Sequence, residues 1–151
     1  MKRFQILFLL CLALSFTFSI FAQDTKEVII LQTSDVHSRI EPINQKGDLY
    51  YNKGGFVRRA AFLEEFRKDH KNVLLFDCGD ISQGTPYYNM FRGEVEIKLM
   101  NEMGYDAMTI GNHEFDFDVD NMARIFKMAD FPVVCANYNL DATVLKDIVK
   151  P

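Results

Sequence analysis

The sequence has few cysteines, no run of basic residues, and neither an internal repeat nor a low-complexity segment. Without a basic patch there is no reason to expect a nucleic-acid polymer as ligand, because proteins that bind such polymers neutralise phosphates with clustered Lys and Arg. The cysteine spacing does not match a zinc knuckle. A chain of 151 residues has room for one domain with a sizeable core, but not for two.

Residues 1–22 are typical of a secretory signal peptide. Lys2 and Arg3 form a positive start, residues 4–21 are mostly apolar, and Ala22 offers the small side chain that cleavage requires. Removal of the segment leaves 15 basic and 21 acidic residues, a net charge of −6. We therefore expect export to the periplasm, the cell surface or the extracellular space. The alternative is an uncleaved anchor, because the apolar run is just long enough to span a bilayer; without it we expect no stable membrane span.

Two cysteines remain after that segment, Cys78 and Cys135, and each lies in an apolar run. A disulfide is allowed in an exported protein. Buried free thiols are the simpler interpretation, because free cysteine packs as a small apolar residue. We therefore favour two free, buried thiols and keep the bridge as the alternative.

Strand and helix patterns alternate along the rest of the chain. Apolar or β-branched runs predict strands at residues 27–33, 72–76, 106–110 and 133–136, and residues 139–151 end in the start of another. Helical patterns run from Gly54-Gly55 to a cap at His70, from Thr85-Pro86 to Gly104 with a break at Gly93, and from Asp118 to Met128. This order predicts an α/β fold, with mostly parallel strands, right-handed crossovers and helices on both faces of the sheet.

The first helix has one apolar and one charged stripe. Phe56, Ala60, Leu63 and Phe66 recur at helical spacing and predict the buried side. The charged residues between them, Arg58, Arg59, Glu64, Glu65 and Arg67, are expected in solvent. Residues 39–53 before the helix are polar and predict a long loop.

Three polar stretches follow predicted strands: TSDVH at 33–37, DCGDISQG at 77–84 and TIGNHEFDF at 109–117. Carboxyl ends of parallel strands meet at one edge of a sheet, where ligands collect. Asp35 and His37 would share a face if this segment were extended. Taken singly, Asp35 with His37 is explained as well by a loop turn, and Gly79-Asp80 is explained better by one.

Together these stretches offer a set of metal donors: Asp35, His37, Asp80 and Asn112. Carboxylate and imidazole suit first-row divalent ions, and one carboxylate bridges two ions about 3.5–4 Å apart; Asp80 is the natural bridge. Two divalent ions carry more positive charge than the two aspartates neutralise. The excess would lower the pKa of a bridging water and bind a phosphate. In an extended stretch His113 would point away from Asn112 towards substrate, with Asp116 orienting its second nitrogen.

Three motifs, D-x-H at 35–37, G-D-x-x-x-G at 79–84 and G-N-H-E at 111–114, resemble those of calcineurin-like metallophosphoesterases. The longer motif G-N-H-E-F-D at 111–116 is similar to that of the secreted 5'-nucleotidase branch. This branch includes UDP-sugar hydrolases and 2',3'-cyclic-nucleotide phosphodiesterases. The resemblance implies a metallophosphoesterase α/β sandwich that holds two divalent ions, Zn, Mn, Mg or Co. It assigns metal binding to Asp35, His37, Asp80 and Asn112, catalysis to a His113–Asp116 dyad, and substrate binding to Asn112 and His113.

The expected function is therefore hydrolysis of a small phosphorylated substrate by a metal-activated water. The resemblance to the family favours a nucleotide as that substrate. The family completes its metal site with three later histidines, whereas the only histidines here are His37, His70 and His113. We accordingly expect residues 23–151 to be the amino-terminal half of a catalytic domain, truncated at its carboxyl end. The alternative is a non-catalytic remnant, or a half-domain that needs a partner chain. Glu114 is expected to cap or pair locally.

Overall fold

The computed structural model describes residues 25–151, so the predicted signal peptide at 1–22 lies outside the described residues. The elements are β1 (Ile29–Thr33), α1 (Phe56–Asp69), β2 (Val73–Asp77), α2 (Pro86–Phe91), α3 (Glu94–Met103), β3 (Ala107–Thr109), a 3-10 turn (His113–Phe115), α4 (Val119–Phe126), β4 (Val133–Val134) and β5 (Val149–Lys150). Within this range no helix combines the length and apolar character needed to cross a bilayer.

The five strands form one parallel sheet in the order β1-β2-β3-β4-β5. This confirms the predicted α/β class and the parallel sheet. Each predicted strand exists, but β1, β3 and β4 are shorter than their apolar runs, most clearly β4, which keeps two of the four residues predicted, while β2 keeps five residues and is shifted by one position. Residues 39–53 contain turns and no regular element, as expected for a loop.

The helices cover one face of this sheet. Along the register, Leu75, Met108, Val133 and Val149 share a face and are all buried. The opposite face carries Ile30 and Leu74, which are 64% and 37% exposed, and none of its strand residues is buried. Helices on both faces were expected. Right-handed crossovers between parallel strands that pair in chain order would place every helix on the same side, and the burial of only one face agrees with that arrangement.

Helix α1 buries a slightly different stripe from the one predicted. Phe56 and Leu63 are buried as expected, whereas Ala60 is exposed. Arg59 was expected in solvent, but its Nη1 donates to the Tyr105 hydroxyl at 3.0 Å and its guanidinium lies 4.6 Å from the centre of the Phe56 ring. Arg59 therefore replaces Ala60 on the inner side, because its long stem packs while its head finds polar partners.

Glycines separate and end the next two helices as predicted. Gly93, with φ of 91°, divides the predicted helix into α2 and α3, and Gly104, with φ of 65°, ends α3 in the left-handed region. Arg67 of α1 was expected in solvent. It donates instead to the carbonyls of Met103 and Gly104 at 2.5 and 3.0 Å. These bonds satisfy two carbonyl oxygens at the end of α3 and place a positive charge at its negative dipole end.

Two helix starts use their capping residues differently. Asp118 caps α4, since its carboxylate accepts a hydrogen bond from the Asn121 N–H at 2.6 Å. Thr85 occupies the capping position before Pro86, but its side chain does not cap α2. The Thr85 hydroxyl donates instead to the Ser38 carbonyl at 2.8 Å, so it links α2 to the loop that follows β1.

Both cysteines within residues 25–151 are free thiols, as favoured, but the prediction that both are buried is wrong for one of them. Cys135 is buried as expected. Cys78 is exposed, because Asp77 before it points under the helices and successive side chains of a strand alternate between faces.

Candidate metal centre

The first and second loops of the site, which follow β1 and β2, run side by side. The hydrogen-bond pattern of the two strands continues beyond their ends, from Cys78 N to Thr33 O at 2.8 Å, Asp35 N to Gly79 O at 3.0 Å, His37 N to Asp80 O at 3.1 Å and Ser38 N to Ile81 O at 2.8 Å. This pairing brings the first two polar stretches to one edge of the sheet, and it places His37 beside Asp80.

These loops are not extended, so the shared face that an extended segment would give Asp35 and His37 does not apply. Asp35, His37 and Asp80 have φ angles of 54°, 46° and 56°, in the left-handed region that residues with a side chain rarely adopt. The turn still brings Asp35 and His37 together, with 3.9 Å between Oδ1 and Nε2. Left-handed residues that cluster in one place often mark functional sites, because the surrounding structure must hold them there at a cost of about 1–3 kcal/mol each.

The loop after β3, which is the third loop of the site, also departs from the extended form. Asn112 has φ of −76° and ψ of −30°, and a 3-10 turn follows it. His113 consequently approaches the first loop, and its ring centre lies 5.0 Å from that of His37. The backbone N–H of His113 donates to Asp80 Oδ1 at 2.9 Å, which connects the second loop to the third.

His37, Asp80 and His113 form the candidate metal centre, since each offers a ligand atom and these atoms lie within 4.8 Å of one another. Two imidazoles and one carboxylate are a donor set that suits first-row divalent ions, so the residues fit the metal that the motifs imply. The Nδ1 of His37 donates to the Ser82 carbonyl at 3.2 Å. That bond leaves Nε2 of neutral His37 free to bind a metal, the usual arrangement for a histidine ligand.

The other two predicted ligands lie at the margin of this group. Asp35 is exposed, accepts a hydrogen bond from the Ser34 hydroxyl and lines the adjacent cleft. Asn112 is exposed at the start of the 3-10 turn. His70 is remote from the centre, because it ends α1 and its ring bonds the Phe66 carbonyl at 2.9 Å, as expected for a cap. The roles of Asp35 and Asn112 as ligands stay predictions.

His113 is paired with Asp116. The His113 Nδ1 lies 2.9 Å from Asp116 Oδ2, and this hydrogen bond raises the pKa of His113 above its usual value, although partial desolvation opposes the rise. The nearby charges of Asp116, Asp80 and Glu114 act in the same direction as the hydrogen bond. The carboxylate therefore favours an imidazolium whose orientation is fixed, with Nε2 as its second proton site.

Glu114 connects the second and third loops through hydrogen bonds to their backbones. Its buried carboxylate accepts backbone N–H bonds from Gly111 at 2.6 Å, Asp80 at 3.0 Å and Ser82 at 3.2 Å. The bond to Gly111 is local, as expected, but the other two reach across the site. The chain separation of more than 30 residues explains why sequence alone did not show them.

An open cleft of about 650 Å³ adjoins the centre, lined by Asp35, His37, His113, Arg39, Arg59 and others. The two arginines are the site residues that sequence reasoning missed. Arg59 lies three residues after Phe56 and four before Leu63, a spacing that places it on the buried stripe of α1. Its charge was the reason that it was predicted to lie in solvent. Positive charge beside a metal site favours an anionic ligand in the cleft.

Imidazole and carboxylate donors that could hold a metal ion, at the carboxyl ends of neighbouring parallel strands, fit the metallophosphoesterase class of α/β proteins that the motifs resemble. A sequence profile of that class, described as calcineurin-like phosphoesterase, matches residues 28–148. The chain belongs to the calcineurin-like phosphoesterase family.

Relatives and solved structures agree with this assignment. The chain is 40% identical over 129 residues to snake venom 5'-nucleotidase from Gloydius brevicauda, a match that covers 81% of the chain and 21% of the relative. It is similar to a crystal structure of a 5'-nucleotidase precursor from Thermus thermophilus (TM-score 0.73, 35% identity, 82% and 25% covered). It is also similar to the NAD nucleotidase of Haemophilus influenzae (TM-score 0.70, 33% identity, 82% and 23% covered). The chain spans about a fifth to a quarter of these proteins.

Proposed function

We propose that this chain supplies the amino-terminal part of the active site of a metal-dependent phosphoester hydrolase of the 5'-nucleotidase type. The observation that carries the proposal is the grouping of His37, Asp80 and His113 within 4.8 Å beside an open cleft. The names of the relatives support nucleotides as substrates and an exported location, in agreement with the predicted signal peptide.

Asp35, His37, Asp80 and Asn112 would hold two divalent ions, with Zn, Mn, Mg and Co as the candidates. Bound there, such ions lower the pKa of a coordinated water and offset the charge of a phosphate. The protein's contribution begins before substrate binds. Asp80 is held by the His113 N–H, and the Ser82 carbonyl holds the His37 ring in the tautomer that leaves Nε2 available.

His113 acts on the substrate in this proposal. Its Nδ1 is engaged by Asp116, so the Nε2 proton of the imidazolium is the one available to a phosphoryl oxygen or to the departing alkoxide. Asp116 orients the ring and favours its charged form. Asn112 contributes a neutral amide to the same phosphate, and the arginines of the cleft wall favour an anion.

Metal binding is the first test, by calorimetry with Mn²⁺. Asp80→Asn keeps an oxygen to accept the His113 N–H but removes the charge, so we expect Mn²⁺ affinity to fall by at least roughly tenfold. Asp69→Asn at the exposed end of α1 is the control and should bind as the unmodified chain does. Equal affinity in Asp80→Asn and the control would contradict the metal site.

Hydrolysis of a nucleoside monophosphate is the second test. In an enzyme in which the missing ligands have been supplied, His113→Asn should retain Mn²⁺ and lose two to four orders of magnitude in rate if His113 is the acid, roughly the contribution of a general acid or base. Loss of Mn²⁺ affinity in the same variant would instead assign His113 to the metal, a role that its distance to His37 and Asp80 also permits.

A second function is favoured by the donor count. Residues 25–151 bring only two imidazoles to the centre, since His70 is engaged at the end of α1. In this alternative the chain is a non-catalytic remnant or a half-domain that needs a partner chain to complete the ligand set. It predicts measurable Mn²⁺ binding without hydrolysis, whereas turnover by the purified chain alone would refute it.

A further inference from the structure

Glu96 is a charged residue in the middle of the hydrophobic core. It lies on α3 with no exposed surface, beside the buried residues Ile97, Met100 and Met103 of the same helix. One carboxylate oxygen accepts a hydrogen bond from the Ser38 hydroxyl. The other, Oε2, has no hydrogen-bond partner in the part of the chain that the structure describes.

This arrangement is a poor way to stabilise a core. Burial raises the pKa of Glu96, which shows that its charged form is disfavoured there, and a buried polar atom without a partner costs free energy. An apolar side chain of similar volume would pack without either penalty. The carboxylate is therefore better explained by the residue that it contacts.

That residue, Ser38, follows His37 directly. Both have left-handed backbones, with φ angles of 46° for His37 and 55° for Ser38, although neither is glycine. Ser38 is fully buried, and the Thr85 hydroxyl reaches its Oγ at 3.0 Å in addition to its carbonyl at 2.8 Å. Glu96 and Thr85 thus fix the side chain and the carbonyl of a strained residue, and they do so one position from the imidazole of the metal centre.

We infer that Glu96 is a positioning residue for His37: through Ser38 it anchors the left-handed turn from which His37 reaches the metal centre. The anchor acts on the backbone, while the Ser82 carbonyl orients the His37 ring. Among the described residues, the Glu96 and Ser38 side chains hydrogen-bond each other and Thr85, and neither hydrogen-bonds a proposed metal ligand. The inference rests on the proposed function only for its consequence on metal affinity.

Three variants of the full chain test this role. Glu96→Met removes the acceptor and keeps the volume, Ser38→Ala removes the donor with little change in packing, and Glu96→Gln keeps an oxygen that accepts the Ser38 bond. Glu102→Gln, on the exposed side of α3, is the matched control. Hydrogen exchange of the His37 and Ser38 amides, which bond Asp80 and Ile81, reports on the turn without any metal. The Met108 amide on β3 serves as the internal reference for global opening.

In Glu96→Met and Ser38→Ala we expect the two turn amides to exchange roughly tenfold faster relative to Met108, and Mn²⁺ affinity to fall roughly tenfold, the lower end of the effect of partners behind a metal ligand. Glu96→Gln should resemble the control. Equal acceleration of all three amides, or a Gln variant as impaired as the Met variant, would overturn the inference. If the unmodified chain binds no Mn²⁺, the proposed function fails, while the exchange ratio still decides the role of Glu96.

Discussion

A Cβ atom on Gly111 would lie 2.1 Å from Asp80 Oδ1 and 2.5 Å from the Asp80 backbone nitrogen. Gly79 makes the reciprocal approach, because a Cβ there would lie 2.5 Å from the Gly111 nitrogen. The second and third loops of the metal centre are therefore in backbone contact, and the two glycines permit it. A side chain at either position must therefore move one of these loops relative to the other.

Gly111→Ala should consequently damage both the fold and the centre. Overpacking at a site bounded by backbone costs about 1–3 kcal/mol, and we expect a loss of that size in the free energy of unfolding, together with weaker Mn²⁺ binding. Gly47→Ala is the control, since it meets no atom within 4 Å and adds only the strain of its positive φ. Urea unfolding and calorimetry measure the two effects. Normal Mn²⁺ affinity in Gly111→Ala would show that Asp80 does not need this contact.

Glu114 should matter for stability before it matters for catalysis. Glu114→Gln retains one oxygen but turns an amide N–H₂ towards a backbone donor, either Ser82 or the pair of Asp80 and Gly111. We expect a loss of about 1.5–3 kcal/mol in the free energy of unfolding, the usual value for hydrogen bonds to a charged group. Glu64→Gln on the exposed face of α1 should change it by less than about 0.5 kcal/mol. Equal stability of the two variants would contradict the role of Glu114 as a link between loops.

The sequence was sufficient to place the three polar stretches, because strand patterns and parallel topology put them at one edge of the sheet. It was not sufficient for the local geometry. The spacing of Asp35 and His37 was compatible with an extended segment or with a turn, and their left-handed angles accompany hydrogen bonds to Gly79 and Asp80, more than 40 residues away. Contacts of this kind are tertiary, and no spacing within either stretch encodes them.

The same limit applies to the sheet. Alternating strands and helices predicted a parallel α/β fold, but the order of the strands decides which face each helix covers, and local patterns do not contain that order. The inner position of Arg59, where Ala60 was predicted, has a related reason. The Tyr105 hydroxyl that accepts the Arg59 hydrogen bond lies on a distant segment of the chain.

The one-sided sheet makes a prediction about adjacent residues of β2. Leu75 is 1% exposed beneath the helices, whereas Leu74 is 37% exposed on the opposite face. Leu75→Ala should reduce the free energy of unfolding by about 2–5 kcal/mol, the range for a buried leucine. Leu74→Ala should cost under roughly 1 kcal/mol. The pair is matched in chemistry and strand, so similar losses in urea unfolding would mean that both faces are covered.

Asp77 predicts how stability depends on pH. Its side chain is buried at the end of β2, where it accepts bonds from the Thr33 hydroxyl at 2.5 Å and the Gly79 N–H at 2.9 Å. Burial raises its pKa from 3.8 to about 6, in spite of these hydrogen bonds and of the charge of Arg59. Between these two values the folded chain keeps a proton that the unfolded chain has released. Stability must therefore fall as pH rises through this window, and it stays lower above about 6.

Asp77→Asn removes this titration while it keeps an oxygen for Gly79. Relative to the variant, the unmodified chain should lose about 2 kcal/mol of unfolding free energy between pH 4 and pH 7, because each pKa unit corresponds to about 1.4 kcal/mol and part of the titration of the unfolded chain lies below pH 4. Other groups contribute almost equally to both proteins and cancel in the difference. Urea unfolding at pH 4, 5, 6 and 7 measures it. A difference that does not change with pH, or that changes in the opposite direction, would mean that Asp77 is not protonated in the folded chain, and the thermodynamic cost of its burial would have to be offset by Arg59 and Thr33.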